Sequence, residues 1–163
     1  MNKAQAKKDE VITGLIEARA CILTAASLLP AERRDQVFLG VWSVKDLLAH
    51  LVGWDFTNAE ATQEILQGKL PSFYAHHDRD WKTYNAGLVE RYKKDDWADM
   101  VSAVEESHRK LIGFLEGVAA EEFDRDRGLR AGRYKVTIAR LMKAETTDER
   151  KHCEQIKEFA NAP

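Results

Sequence analysis

The sequence contains few of the residues that interrupt or cross-link a folded chain. Its 163 residues include two cysteines, three prolines and nine glycines. Cys21 and Cys153 lie far apart and form no CxxC pair, so the sequence indicates neither a disulfide framework nor a zinc ribbon, and we expect two reduced thiols. Hydrophobic residues make up 44% and charged residues 32% of the chain, which favours a helix-rich globular protein over a disordered one.

Long apolar runs and a surplus of one charge are also absent. The N-terminal residues are polar and charged, unlike a signal peptide, and no window is apolar for long enough to cross a bilayer. We therefore expect a cytoplasmic protein without a membrane partner. The net charge is -2, which leaves no basic surplus to neutralise a phosphate backbone, so the charge balance predicts no nucleic-acid partner.

Apolar residues recur at helical spacing in four segments, which predicts an all-α chain. The predicted helices cover residues 3–29, 42–67, 97–117 and 134–160. Ser43, followed three residues later by Asp46, forms a capping-box-like start to the second helix, with aspartate where glutamate is usual. The length fits a single domain, 1–163, and the pattern predicts a four-helix bundle.

The connection between the second and third predicted helices is the longest. It covers residues 68–94, and its Pro71 is typical of a surface segment. Two adjacent histidines, His76 and His77, are expected to lie on that surface. A shorter helical pattern runs over residues 79–92, so the sequence predicts a bundle with a long crossover between helices two and three.

Polar residues interrupt the apolar face of the fourth predicted helix, namely Glu145, Asp148, Glu149 and His152. Burying them is costly unless they are paired, hydrogen-bonded or bound to a metal. Asp148 and His152 are four residues apart, which places their Cβ atoms ~5–6 Å from each other, as two ligands of one metal would be, and His50 is a candidate third ligand. Glu149 and His152 also match the ExxH pair of di-iron bundles, but no second ExxH accompanies them.

The other apolar stripes contain further polar and aromatic candidates. Arg19 and Glu145 each lie in the middle of a stripe, which predicts a buried ion pair more simply than a catalytic one. Asp55 is a candidate partner either of His50, whose tautomer it would fix, or of Arg19. Trp54, four residues after His50, is a candidate wall of a substrate cleft or an ordinary core residue.

Part of the second predicted helix resembles a known family. Residues 40–54, GVWSVKDLLAHLVGW, are similar to the second-helix signature of DinB-like proteins. The segment 71–89, with Asp80 and Trp81, resembles the ClbS/DfsB-type branch, and the similarity extends over residues 10–159. The resemblance implies a DinB-like four-helix bundle.

The same resemblance implies a metal triad, formed by a histidine of the second helix and an HxxxH pair of the fourth. These positions fall on His50, Asp148 and His152, and Asp148 is a departure because the family more often has histidine there. Two histidines and one carboxylate suit one divalent ion, zinc, nickel or iron, with positions left open for water or substrate. Members of the ClbS/DfsB-type branch often lack the full triad, so a metal-free protein is an open alternative.

Three functions remain open at this point. The first is a DinB-like metal-dependent enzyme that acts on a small molecule by hydrolysis or thiol transfer, in detoxification or stress, with His50, Asp148 and His152 as catalytic and metal-binding residues. The second is a metal-free ClbS/DfsB-type protein that binds or hydrolyses a reactive small molecule, with His50 as an acid–base or hydrogen-bonding group. The third is a non-catalytic helical interaction module, which a homodimer with an empty polar cluster would favour.

Overall fold

The structure, a computed structural model, describes residues 2–77 and 80–163, without the side chains of His76 and His77. Within these residues the chain is all-α, as predicted. The long helices are α1 (Lys3–Ser27), α2 (Val44–Leu66), α5 (Trp97–Gly117) and α6 (Ile138–Asn161), and the short ones are α3 (Phe73–His77) and α4 (Trp81–Tyr92). The connection between α2 and α5 carries α3 and α4, which confirms the predicted crossover.

Two predictions for the crossover fall partly outside this description. Arg79, the first residue predicted for the short helix, is not described, and α4 begins at Trp81. The backbone of His76 and His77 belongs to α3, but the surface position predicted for their side chains lies outside the described residues. No helix in the described ranges is both long and apolar enough to span a membrane.

Two short antiparallel hairpins precede α2 and α6. Strand β1 (Val37–Leu39) pairs with β2 (Trp42–Ser43), and β3 (Arg130–Ala131) pairs with β4 (Tyr134–Lys135). Gly40 and Gly132, at the turns, each have a φ of 59°, a left-handed conformation that glycine adopts without strain. The predicted second and fourth helices therefore began too early, at residues 42 and 134, because these residues pair with a neighbouring strand.

Hydroxyl side chains set the true starts of these two helices. The Oγ of Ser43 accepts a hydrogen bond from the Asp46 N–H at 3.2 Å, and the Asp46 carboxylate accepts one from the Ser43 N–H at 2.9 Å. This reciprocal pair confirms the predicted capping box. Thr137 caps α6, with its Oγ1 3.2 Å from the N–H of Arg140.

Buried polar side chains separate the two larger clusters of the apolar core. Helix α1 packs on α6, and α2 packs on α5 and α4. On each long helix, at least one buried polar residue lies in sequence between members of the two clusters, and we single out one from each helix. These residues, each at most 4% exposed, are Arg19, Asp55, Ser107 and Glu149. We call them the polar layer, and they show that the interruption of the apolar stripes is buried within the bundle.

A disulfide joins Cys21 of α1 to Cys153 of α6. The prediction of two reduced thiols is therefore wrong. The two cysteines are 132 residues apart in sequence, but the packing of α1 against α6 brings their Cα atoms to 5.9 Å, within the distance that a disulfide spans. Spacing along the chain does not report this contact, because it depends on how two distant helices pack.

Gly53 allows α4 to approach α2 closely. A Cβ atom at this position would lie 2.7 Å from the Cβ of Leu88 and 2.9 Å from one of its methyl groups. We expect Gly53→Ala to lower the free energy of unfolding, because overpacking costs about 1–3 kcal/mol whereas alanine gains at most ~1 kcal/mol over glycine within a helix. Urea unfolding followed by circular dichroism measures the change.

Gly87 provides the matched control for this prediction. It lies on α4, and a Cβ atom there would meet nothing within 4 Å. Gly87→Ala should stabilise the protein by about 0.4–1 kcal/mol through the unfolded state. If Gly53→Ala raised the free energy of unfolding as Gly87→Ala does, the result would contradict the close packing of α4 on Gly53.

Candidate functional site

An open cavity of about 600 Å³ lies between α2, the α3–α4 crossover, α6 and the first hairpin. Aromatic side chains form part of its walls, namely Trp42, Trp54, Phe73, Tyr74 and Trp81. The polar side chains that line it are His50, Asn58, Asn85, Glu145, Asp148, Lys151, His152 and Gln155. Of the predicted site residues, the three candidate ligands, Trp54 and Glu145 thus share one cavity, whereas Arg19, Asp55 and Glu149 belong to the polar layer.

His50 is held between aromatic rings on the wall of the cavity. It is 8% exposed, and its ring lies 4.8 Å from that of Trp42 and edge-on to that of His152 at 5.7 Å, centroid to centroid. Its Nδ1 is buried and has no hydrogen-bond partner. Burial, together with His152 and Arg19, lowers the pKa of His50 to about 3. The imidazole is therefore neutral at physiological pH.

His152 is partly buried, and its tautomer is set by a neighbour on α6. Its Nδ1 lies 2.8 Å from the Oε1 of Gln155. Because an amide oxygen can only accept, Nδ1 carries the proton and Nε2 keeps its lone pair. Burial lowers the pKa of His152, although Gln155 and Asp148 act in the opposite direction. The lowered pKa thus favours the neutral form of His152, whose Nε2 keeps a lone pair.

The three candidate ligands do not converge closely enough to share one metal ion in this conformation. Ligand atoms bound to one ion at about 2.0–2.2 Å lie within roughly 4.4 Å of one another. The ligand atoms of His50, Asp148 and His152 do not all meet even a 4.8 Å limit. Asp148 is exposed, and its side chain is shorter than the histidine that the family resemblance leads one to expect. The metal triad therefore remains a prediction that this geometry does not fit.

A different group of possible ligands does meet that limit in the described part of the chain. Cys21, Cys153 and Glu154 have their ligand atoms within 4.8 Å of one another. The two sulfur atoms are joined in the disulfide, so neither is available as a thiolate, the form that binds metal. This group is accordingly not a metal site in the oxidised protein.

Arg19 organises the polar layer beneath the cavity. Its guanidinium donates to both carboxylate oxygens of Asp55, at 2.8 and 2.9 Å, and to both of Glu149, at 2.5 and 3.1 Å. The Ser107 hydroxyl donates to Asp55 at 2.6 Å. Burial opposes the charge of Arg19, yet the two carboxylates raise its pKa above the ordinary value. Of the two roles open for Asp55, the structure shows the pairing with Arg19.

The predicted ion pair between Arg19 and Glu145 is wrong. The guanidinium is occupied by Asp55 and Glu149, because the rotation of α6 turns Glu149 towards α1 and Glu145 towards the cavity. Burial raises the pKa of Glu145 to about 8, and the nearby carboxylates of Glu149 and Asp55 add to the rise against the attraction of Arg19. Glu145 therefore carries a proton at neutral pH.

The crossover completes the aromatic wall. The indole N–H of Trp54 donates to the Oδ1 of Asn85 at 2.9 Å, and the ring of Trp54 contacts those of Phe73 and Trp81 at 5.5 and 5.7 Å. Sequence reasoning missed Asn58 and Asn85. Asn58 had a detectable signal, since it follows His50 and Trp54 at four-residue spacing on one face of α2.

Two solved structures share this fold. The crystal structure of the colibactin self-resistance protein ClbS in complex with a dsDNA matches with a TM-score of 0.71 and 15% identity, over 96% of each chain. An uncharacterised protein from Escherichia coli UTI89 matches with a TM-score of 0.70 and 15% identity, over 94% of this chain and 92% of that one. No curated protein matches in sequence.

The first of these structures corrects one prediction. ClbS, a protein of this fold, forms a complex with dsDNA, so the exclusion of a nucleic-acid partner is wrong. A net charge does not describe how charge is distributed over a surface, and it therefore cannot exclude such a partner.

Sequence comparison provides the family assignment that the fold supports. The model of the DinB superfamily matches residues 15–156, a range that includes both histidines of the cavity and the whole polar layer. The protein belongs to the DinB superfamily.

Proposed function

We propose that this protein binds a small, largely apolar molecule in the cavity and transforms it by metal-independent general acid–base catalysis. The observation that carries the proposal is the pair of neutral histidines, His50 and His152, edge-on at 5.7 Å in an aromatic cavity. The likeness in fold to a self-resistance protein supports a reactive small molecule as the substrate class.

His152 acts as the base in the proposed reaction. Its Nε2 accepts a proton from a water molecule as the water oxygen attacks an electrophilic carbon of the substrate, and the proton then passes to the leaving group. The hydrogen bond from Nδ1 to Gln155 holds the ring in the required tautomer. His50, with its lower pKa, stays neutral and offers a hydrogen bond.

A metal-dependent enzyme is the second candidate. Its support is the hydrogen bond from His152 to Gln155, because metal-ligating histidines commonly donate their other ring N–H to an oxygen. A zinc, nickel or iron ion would supply a Lewis acid or an activated water. The exposed position of Asp148 and the distances between the ligand atoms count against this candidate.

Hydrolysis of p-nitrophenyl acetate, a small activated ester, in buffer with EDTA tests the first candidate. We expect His152→Ala to lower the rate about 10²–10⁴-fold, because the basic nitrogen is removed. The wild-type rate, corrected for the uncatalysed reaction, should reach a plateau towards neutral pH and should fall as the pH drops through the pKa of His152, which burial lowers, since protonation removes the base.

His108 on α5 supplies the matched control for this assay. It is a partly buried histidine that does not line the cavity, so His108→Gln should keep the wild-type rate. The proposal is rejected if His152→Ala hydrolyses the ester as fast as the wild type does, or if the wild type is no faster than free imidazole at the same concentration.

Metal content separates the two candidates. After incubation with Zn²⁺ and desalting, elemental analysis of the untagged protein should find far less than one zinc per wild-type chain. Asp148→His should retain about one, because it restores an HxxxH pair on one helix face opposite His50. Stoichiometric zinc in the wild type, together with an ester hydrolysis that EDTA abolishes, would favour the metal-dependent enzyme.

A further inference from the structure

Asn58 is the least satisfied polar side chain of the cavity. The residue is 1% exposed, and neither the Nδ2 nor the Oδ1 of its amide has a hydrogen-bond partner. Buried amides are nearly always hydrogen-bonded, because an unpaired polar group in a folded interior is costly. Since Asn58 lines the cavity, its amide is available to a molecule that enters there.

Glu145 of α6 lies close to the amide of Asn58, which belongs to α2, and both residues line the cavity. Asn58 interacts with the Glu145 carboxyl through a side-chain hydrogen bond that opposes the rise of its pKa, but the contact falls outside the distance and angle of a well-formed hydrogen bond, so it does not satisfy either amide atom of Asn58. Glu149 on α6, Asp55 on α2 and Arg19 on α1 face Glu145 and together carry one net negative charge. Ionisation of Glu145 would add a second negative charge to this group and is therefore disfavoured. The Glu145 carboxyl is thus a neutral hydrogen-bonding group.

We propose that Asn58 and Glu145 form a subsite for a neutral amide group of the cavity ligand, a carboxamide, lactam or peptide unit. An amide offers one carbonyl acceptor and an N–H donor, which match the donor and the acceptor of Asn58, and the Glu145 carboxyl can donate to the same carbonyl. An anion at this subsite meets the net negative charge of the polar layer, because the exposed cavity-lining Lys151 acts on His152 and is not among the groups that act on Glu145. An apolar group leaves Asn58 unpaired. The subsite rests on the proposed function, because it names the substrate class of the same cavity.

Benzamide, benzoate and toluene are matched probes for this subsite. They share a phenyl ring for the aromatic wall and differ in carrying a neutral amide, an anion or a methyl group. Titrations at pH 7, followed by NMR at the indole N–H of Trp54, give the dissociation constants. We expect benzamide to bind at least about tenfold more tightly than benzoate, given two additional hydrogen bonds and no like charge.

Asn58→Leu is the decisive variant, because leucine has a similar shape and no polar atoms. The ratio of the toluene to the benzamide dissociation constant should fall about tenfold. The melting temperature should stay the same or rise, because two unpaired buried polar atoms are removed. A fall of several degrees would instead assign Asn58 a structural role and overturn the subsite. Glu145→Gln, which keeps a neutral donor, should leave the benzamide affinity within about twofold.

The outcomes separate this inference from the proposed function. If neither benzamide nor toluene binds the wild type, the cavity is not a small-molecule site, and both proposals fail. If both probes bind and Asn58→Leu leaves their ratio unchanged, the amide subsite alone is overturned. A tenfold fall in the ratio with an unchanged melting temperature supports it.

Discussion

Replacing Arg19 by methionine is expected to lower the free energy of unfolding by about 3–5 kcal/mol. The substitution leaves the carboxylates of Asp55 and Glu149 buried at 2% and 1% exposure without their cation. A buried charge that loses its partner keeps the cost of desolvation and gains nothing in return, so this loss exceeds that of an ordinary surface ion pair. Equilibrium unfolding in guanidinium chloride, fitted with a common slope, measures it.

A triple variant separates the loss of charge pairing from the loss of packing. Arg19→Met combined with Asp55→Asn and Glu149→Gln removes all three charges while it keeps similar side-chain shapes. The triple variant should recover much of the stability that the single variant loses, because no unpaired charge remains. If the single variant lost less than about 1 kcal/mol, Arg19 would not be the buried cation that its hydrogen bonds indicate.

Reduction of the disulfide between Cys21 and Cys153 is expected to produce the second large effect. The bond closes a loop across 132 residues, so it removes conformational freedom from the unfolded chain worth about 4–5 kcal/mol in the loop-entropy model. For a chain of this size, the melting temperature should fall by roughly 10–20 °C. Differential scanning calorimetry with and without tris(2-carboxyethyl)phosphine measures the shift.

The double variant Cys21→Ala with Cys153→Ala is the control for reduction. Its melting temperature should match that of the reduced wild type within a few degrees and should not respond to the reductant. Two titratable thiols in the unreduced wild-type protein, counted after denaturation, would show that the bond does not form and would restore the prediction of reduced cysteines.

Several features of the molecule follow from local patterns in the sequence. The four apolar stripes predicted the long helices, and the start and end predicted for the third helix agree with α5 (Trp97–Gly117). Ser43 and Asp46 predicted the cap of α2 correctly, because a capping box involves only residues within one turn. The helix starts at residues 42 and 134 were wrong because strand pairing in the two hairpins overrides helical periodicity there.

The candidate site was predictable in part for a similar reason. A stripe shows which residues of one helix face inward, so His50, Trp54, Glu145 and His152 were all identified before their neighbours were known. The same stripe cannot show which residues of two helices meet. That depends on the rotation and the offset of one helix against the other, which side-chain packing sets across the interface.

The sequence by itself therefore determined the helices, their buried faces and membership of the DinB superfamily. The tertiary structure alone decided the partners: Arg19 with Glu149 instead of Glu145, Cys21 with Cys153, and Asn58 unpaired in the cavity. It also decided that the ligand atoms of His50, Asp148 and His152 do not all come close enough to share one metal ion in this conformation. The physical reason is that hydrophobic periodicity is a property of one helix, whereas an ion pair, a disulfide or a ligand cluster is a distance between two.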